Sequence, residues 1–287
     1  MQSLQELKTI CQTTAKKDVS NVYMRYVCRS LSIFVTRALI PTPVTPNQVS
    51  FVMIVTGTLA ALFFLCPDTL VFFAGTLVLQ FWYILDCVDG ELARYRDYEK
   101  RGQVTRDKTE LPITGGYWDY LNHYIVHGLV PLGMSYGYYA RTGSSFWLFA
   151  GYIASISQTL LLAVHDTKSR AFIGKLTRIG GSHWIGIRQS KPSEAGPKIH
   201  KRHSLPKWIF MILHYSCTFP TVMNVITLGG LFSVLGVFGP KTDLRGFLTL
   251  YYAGASLLVF LGLAAKNLRH QGVDHDFDDL FEFKARE

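Results

Sequence analysis

Two short stretches decide the fold of this sequence: residues 86–94 read DCVDGELAR, and residues 115–123 read GGYWDYLNH. Asp86 and Asp89 are three residues apart, and Asp119 and His123 are four apart. On α-helices these spacings place both members of a pair on one face. One long apolar segment ends at the first stretch and another begins at the second. The sequence therefore predicts two antiparallel helices whose polar pairs lie at similar depth.

Six segments contain almost no charged residues, and the length of each is close to the roughly 20 residues that a helix needs to cross a bilayer. They are Gln48–Cys66, Thr69–Leu85, Asp119–Tyr139, Ser145–Val164, Pro220–Phe238 and Gly246–Ala265. The alternative is a soluble all-α protein, but buried helices are rarely this long, this many and apolar on every side. The prediction is an all-α integral membrane protein with six transmembrane helices.

The positive charges give these spans a direction. Of the 29 Lys and Arg residues, 26 lie before the first span, after the last, and in the two loops that join spans two to three and four to five. Basic residues concentrate on the cytoplasmic side, so both termini and the polar pairs are predicted there. The net charge of +9 then reflects orientation and attraction to anionic membrane lipids. A nucleic-acid partner is disfavoured because the charge is divided among four segments.

The chain is expected to have three parts. Residues 1–44 form a cytoplasmic N-terminal segment with an amphipathic interfacial helix over Asn21–Ile40, whose Arg25, Arg29 and Arg37 reach water. Residues 45–265 form the six-helix domain, which Thr45 opens as an N-cap followed by proline. Residues 266–287 are a solvated acidic cytoplasmic tail. The five cysteines are an odd number without a pairing pattern and are expected to stay reduced.

Carboxylates at a membrane edge are costly unless something neutralises them. Asp86, Asp89 and Asp119 together could bind Mg²⁺ or Mn²⁺, which prefer oxygen ligands. Such an ion can clamp a diphosphate and neutralise a leaving group. Gly90 and Ala93 leave open space one turn away, and the adjacent Arg94 offers donors suited to phosphate oxygens. Helix caps and snorkelling groups are the alternative for charges at span ends.

The pattern resembles the CDP-alcohol phosphotransferase family, whose motif is D-x2-D-G-x2-A-R, a spacer, then G-x3-D-x3-D. The matching positions are Asp86, Asp89, Gly90, Ala93, Arg94, Gly115 and Asp119. Residues 45–50 (TPNQVS) also resemble the family's entry to its first span.

The resemblance implies a six-span fold, a divalent metal site at the four acidic positions, and a CDP-linked alcohol as donor. It also implies nucleotide contacts from Gly90 to Arg94, from Gly115, and from Asn47 and Ser50. The last acidic position would be the base that deprotonates a hydroxyl acceptor, and members are commonly homodimers. The compact core resembles members that use CDP-diacylglycerol with a small polar acceptor, although a small CDP-alcohol with a lipid acceptor is the other possibility.

Two features depart from the family. The spacer between Arg94 and Gly115 is longer, and its basic residues could bind an anionic acceptor or lipid headgroup, or form a flexible loop. The basic loop over residues 165–207 could bind an acceptor that carries a phosphate, or anionic lipid. His123 replaces the last acid. We predict that His123 is both a metal ligand and the acceptor base, since imidazole suits proton transfer near neutral pH and suits Mn²⁺ better than Mg²⁺. An inactive nucleotide- or lipid-binding scaffold and a small transporter are the alternative functions. His127, one turn further, is predicted to be a buried residue satisfied by a neighbouring helix.

Overall fold

The computed structural model describes residues 2–18, 22–104, 113–179, 183–187, 205–239, 242–269 and 272–285. The helices are α1 (Leu4–Asp18), α2 (Arg29–Leu39, preceded by a π-helical turn at Met24–Cys28), α3 (Pro46–Phe64), α4 (Thr69–Arg101), α5 (Ile113–Thr142), α6 (Phe146–Ile179), α7 (Leu205–Ser216), α8 (Thr221–Leu235), α9 (Arg245–Leu268) and α10 (Gly272–Leu280). Two short strands, β1 (His183–Ile187) and β2 (Phe281–Ala285), complete the elements of the described residues.

The helices form one bundle. α3 packs against α4 and α5, while α6 packs against α5 and α9, and α8 contacts α4. Two glycines of α5 allow it to approach the backbone of α3. A Cβ atom at Gly133 would lie 2.5 Å from the Ala61 carbonyl oxygen, and one at Gly137 would lie 2.1 Å from that of Phe64. Small residues are typical where membrane helices pack this closely.

Four helices in the described part of the chain are long and apolar enough to cross a membrane: α3, α4, α6 and α9. α7 and α8 are apolar enough together but meet at a bend of 73°. If they form one broken span, the described part of the chain has five crossings. The protein is therefore a multi-pass integral membrane protein. The predicted six spans are not confirmed. Within the residues described, α5 is long but does not reach the same apolar character, and it carries Asp119, Asn122 and His123.

The first predicted span begins as expected. Thr45 Oγ1 accepts a hydrogen bond from the Gln48 amide (3.3 Å), and Gln48 Oε1 accepts one from the Thr45 amide (2.9 Å). With Pro46 at the first helical position, the two bonds make the capping box that the sequence indicated. This fixed start sets the direction of α3 and so the position of Ser50 one turn later.

The N-terminal helix differs from the prediction in two respects. Val22 and Tyr26 are exposed, as lipid-facing residues would be, but Arg29 is only 8% exposed and does not reach water. Moreover, Tyr23 donates a hydrogen bond to Gln80, which lies inside the predicted second span. The helix therefore packs along α4, and its position in the membrane interface stays a prediction.

The acidic tail was predicted to be solvated, and Asp274, Asp278 and Asp279 are exposed, but the tail is also docked through Phe277. α10 lies on the C-terminal part of α6, with Phe277 1% exposed and packed against Phe172. Lys168 bonds Asp276, and this hydrogen bond lowers the pKa of the Asp276 carboxyl. β2 then pairs antiparallel with β1, in a register that places Ala285 opposite His183.

Parts of the predicted loops are helical. α4 continues to Arg101 and α6 to Ile179, so both helices extend beyond the predicted spans. Residues 105–112 and 188–204, which include most of the remaining basic positions of the two loops, lie outside the described residues.

A group of polar contacts around Arg245, called the Arg245 clasp, joins helix ends at the end of the bundle away from Asp86. Arg245 is fully buried and donates to the Cys66 and Pro67 carbonyl oxygens, each at 2.6 Å. It also bonds Asp243, whose carboxylate lies 3.6 Å from Arg141. The start of α9 is thereby joined to the turn between α3 and α4.

Candidate active site

Three of the predicted residues converge between α4 and α5. His123 Nε2 lies 3.5 Å from Asp86 Oδ1 and 3.3 Å from Asp119 Oδ1. One ligand atom from each of the three residues falls within 4.8 Å of the others. The side chains are 14% (Asp86), 43% (Asp119) and 21% (His123) exposed, so the cluster is open on the Asp119 side.

Aromatic packing holds the His123 ring in this position. Its edge meets the Trp82 ring at a centroid distance of 5.3 Å. The indole of Trp82 is itself fixed by donating to Asn122 Oδ1 at 3.0 Å. Because Trp82 belongs to α4 and Asn122 to α5, the contact that orients His123 also joins the two helices of the cluster.

The cluster fits a divalent cation. Asp119 Oδ1 is buried yet has no hydrogen bond of ordinary geometry from any group that the structure describes. Its one close polar neighbour among the described residues is His123 Nε2 at 3.3 Å. A buried carboxylate oxygen without a well-formed hydrogen bond is expensive, and a cation is a common way to satisfy it. With His123 as a ligand, the mixed oxygen and nitrogen set would suit Mn²⁺ better than Mg²⁺, and the carboxylates without it would suit either ion.

Asp89, the fourth predicted metal ligand, is not part of this three-residue group. Its Oδ2 accepts a hydrogen bond from Ser50 Oγ at 2.9 Å, and Ser50 is 1% exposed. Ser50 was predicted to contact nucleotide, and here it fixes the Asp89 carboxylate from α3. The sequence suggested both residues for the site but not their contact with each other.

The predicted phosphate-binding residue Arg94 is 7% exposed. Its Nε donates to the Cys11 carbonyl oxygen of α1, while its terminal nitrogens lie over Gly90, where a Cβ atom would be 3.3 Å from Nη1. No hydrogen bond of these terminal nitrogens is found among the described residues. The guanidinium is thus anchored on one side and free on the side of the Gly90 backbone.

The remaining predicted nucleotide contacts are more peripheral. A Cβ atom at Gly115 would lie more than 4 Å from every described residue outside its own stretch of helix, so the start of α5 is open there. Asn47 is exposed at the first turn of α3, and Ala93 is half-buried on α4. Their roles stay predictions.

Sequence reasoning missed Glu91, which lies inside the motif and is fully buried. Its Oε1 accepts from Gln12 Nε2 and Ser32 Oγ, and its Oε2 accepts from Thr36 Oγ1, each at 2.7 Å. Glu91 thereby binds α1 and α2 to α4. The available signal was the pair Ser32 and Thr36, four residues apart on one face of an amphipathic helix.

His127 is buried as predicted, but it is not satisfied by a polar neighbour. Its ring stacks on Phe219 at 3.9 Å, and neither ring nitrogen has a hydrogen-bond partner in the described part of the chain. It lies one turn beyond His123 and outside the metal-ligand group.

No protein-family model and no curated protein matches this sequence. Among solved structures, the chain is similar to phosphatidylinositol phosphate synthase (PgsA1) of Mycobacterium tuberculosis. The form with CDP-DAG bound has 17% identity and a TM-score of 0.55, over 85% of this chain and 96% of that one. The apo form has 18% identity and a TM-score of 0.52, over 83% and 97%. At this identity the likeness shows a shared fold.

Proposed function

We propose that the chain is a membrane-bound CDP-alcohol phosphotransferase. It moves a phosphatidyl group from a CDP-alcohol donor, CDP-diacylglycerol, to the hydroxyl of a second substrate and releases CMP. The observation that carries this proposal is the convergence of Asp86, Asp119 and His123 beside the Gly90–Arg94 turn. The same fold in PgsA1 was crystallised with CDP-DAG bound, which supports a donor of this class.

Asp86 and Asp119, with Asp89 held by Ser50, would hold a divalent metal, Mg²⁺ or Mn²⁺. When bound, this ion would neutralise the negative charge of the diphosphate. Arg94 would bind phosphate oxygens over the Gly90 backbone. Gly115, Asn47 and Ala93 border the nucleotide in this proposal.

His123 accepts the proton of the acceptor hydroxyl. The acceptor oxygen attacks the phosphorus that bears the alcohol, the bond from that phosphorus to the CMP oxygen breaks, and the hydroxyl proton passes to Nε2. One nitrogen cannot hold a metal and accept a proton at the same time. We assign the proton because imidazole is the weaker Mg²⁺ ligand. The flanking carboxylates orient the ring and stabilise the imidazolium once it forms.

The finer features of the membrane arrangement are also proposed. Six spans follow if α5 crosses with its polar face turned inward and α7 and α8 form one broken span. The excess of Lys and Arg at the active-site end supports a cytoplasmic site. A homodimer is proposed from the family resemblance alone.

The test is turnover by the purified protein. Labelled CDP-alcohols are supplied with Mg²⁺ or Mn²⁺, against lipid extracts and small polyols, and CMP release is measured. His123→Ala is expected to abolish CMP release while metal-dependent CDP binding, measured by calorimetry, remains. Asp86→Asn and Asp119→Asn are expected to weaken the metal dependence of that binding. His165→Ala is the matched control, since this exposed histidine lies outside the cluster.

Full activity of His123→Ala would remove the base assignment. A wild-type protein that binds CDP but never releases CMP would favour an inactive scaffold. Failure to bind any cytidine nucleotide would contradict the proposal altogether.

A further inference from the structure

We propose that Arg29 is a second cationic ligand for the diphosphate of the cytidine nucleotide, acting together with Arg94. This inference rests on the proposed function and extends its donor site to the N-terminal helix. Neither the motif nor its spacing includes Arg29, which the sequence suggested would face water.

The position of Arg29 follows from the register between α2 and α4. Tyr23 bonds Gln80, Ser32 bonds Glu91, and further on Arg96 bonds the Thr42 carbonyl oxygen. The two helices therefore run in the same direction. Arg29 lies between the first two contacts.

This register sets Arg29 beside the α4 turn that follows Tyr83. Arg29 is six residues after Tyr23 and three before Ser32, so the contacts at Gln80 and Glu91 put it level with Cys87. Cys87 directly follows Asp86, so Arg29 lies at the level of the acidic cluster.

Two of the three guanidinium nitrogens of Arg29 lack a described partner. The residue is 8% exposed, and its Nε and Nη1 atoms have no hydrogen-bond partner among the residues that the structure describes. Its backbone carbonyl, by contrast, is fixed by Gln12 Nε2 at 2.7 Å. The Arg29 backbone is fixed while its buried cation lacks hydrogen-bond acceptors. This lack is costly for the ligand-free protein, and it favours a site in which a bound anion supplies the acceptors.

The local charges point to the same ligand. Arg29 and Arg94 are joined through one buried network: Gln12 Nε2 donates to the Arg29 carbonyl oxygen and to Glu91 Oε1, and Glu91 lies one turn before Arg94 on α4. Glu91 already accepts three hydrogen bonds from Gln12, Ser32 and Thr36, so it has little capacity left for two arginines. Two arginines beside one carboxylate whose hydrogen bonds are already made leave an excess of positive charge on this part of α4. A diphosphate, with several oxygen acceptors and more than one negative charge, matches that excess.

A purely structural arginine predicts the opposite behaviour on substitution. If Arg29 stabilised the empty protein through a pair, its removal would destabilise the fold. If its charge is uncompensated until nucleotide binds, an apolar replacement is neutral or stabilising without ligand. The two possibilities therefore separate by measuring stability and nucleotide affinity on the same variants.

The experiment compares wild-type protein, Arg29→Met, Arg29→Gln and the control Arg37→Met, a half-buried arginine two turns along the same helix. CDP affinity is measured by calorimetry with Mn²⁺, and melting temperature is measured without nucleotide. Arg29→Met and Arg29→Gln are expected to bind CDP about 10- to 100-fold more weakly, the range for hydrogen bonds to charged groups. The melting temperature of Arg29→Met without nucleotide should equal or exceed that of wild type, and Arg37→Met should bind normally.

Undiminished CDP binding by either Arg29 variant would overturn the inference. A lower melting temperature of both variants with unchanged affinity in the folded fraction would assign Arg29 a structural role instead. If wild-type protein does not bind CDP with a divalent ion, the proposed function itself fails, so that outcome is distinguished from failure at Arg29 alone.

Discussion

Replacing Glu91 with alanine is expected to release α1 from the bundle while the rest of the fold stays intact. The substitution removes the acceptor of three buried hydrogen bonds, from Gln12, Ser32 and Thr36. It also removes the acidic residue one helical turn before Arg94 on α4. Of the three bonds, only the one from Gln12 is made by α1, and a hydrogen bond to a charged group contributes about 1.5–3 kcal/mol. Since 1.4 kcal/mol changes an equilibrium tenfold, the released fraction of α1 should rise about 10- to 100-fold.

The thiol of Cys11 reports this release. Cys11 is fully buried on α1, and burial raises the pKa of its thiol to about 12. The docked thiol is therefore almost never a reactive thiolate near neutral pH, and labelling proceeds from the released helix. The assay is maleimide labelling of a protein in which Cys11 is the only cysteine, with its rate compared before and after Glu91→Ala.

Two controls make the result specific. Glu99→Ala removes an exposed carboxylate of the same helix, which pairs with Arg96 at the surface, and should leave the rate unchanged. A second protein keeps only Cys217, which is 2% exposed in the main core, and reports general unfolding. A Cys11 rate that is unaffected by Glu91→Ala would refute the view that Glu91 holds α1. Equal acceleration at Cys217 would show global and not local loss of structure.

Two further predictions concern packing and the tail. Gly137→Ala should destabilise the bundle by about 1–3 kcal/mol or more, because its Cβ would lie 2.1 Å from the Phe64 carbonyl oxygen. Thermal melting should show no such loss for Gly128→Ala, whose nearest atoms are 3.7 Å away, and equal melting of both variants would contradict the packing analysis. The hydrogen bond from Lys168 is the main cause of the lowered pKa of the Asp276 carboxyl. The stability that this pair gives to the docked α10 is therefore complete above the ordinary pKa of 3.8 and is lost as the pH falls through the lower pKa of the folded state. Hydrogen exchange of residues 272–280 should accelerate under that acidity and at high salt, and unchanged protection under both conditions would argue against electrostatic docking.

The parts of the fold that sequence could predict are those set by local chemistry. Thr45 and Gln48 are three residues apart, so the capping box of α3 is visible in the sequence and is confirmed. Asp86, Asp119 and His123 meet because helical spacing and antiparallel neighbours suffice to bring them together.

The contacts that sequence could not predict depend on which helix faces which. Amphipathic spacing divides a helix into faces, but it does not say whether a polar face meets water or another helix. Arg29 and Ser32 were therefore open to misassignment, and both face α4. The docking of α10 likewise depends on the length of α6 beyond the membrane, which the apolar segment does not reveal.

The Arg245 clasp has a consequence for how substrates reach the reacting groups. Asp86 lies about 18 residues along α4 from the clasped turn, or roughly 27 Å at 1.5 Å per residue. With its guanidinium bonded to two carbonyl oxygens and a carboxylate, this end resists separation of α3, α4 and α9. If the chain binds the proposed lipid-linked nucleotide, the bundle would widen for it by separation of the opposite helix ends. Arg245→Ala would remove this restraint, so that the helices would separate more easily at both ends.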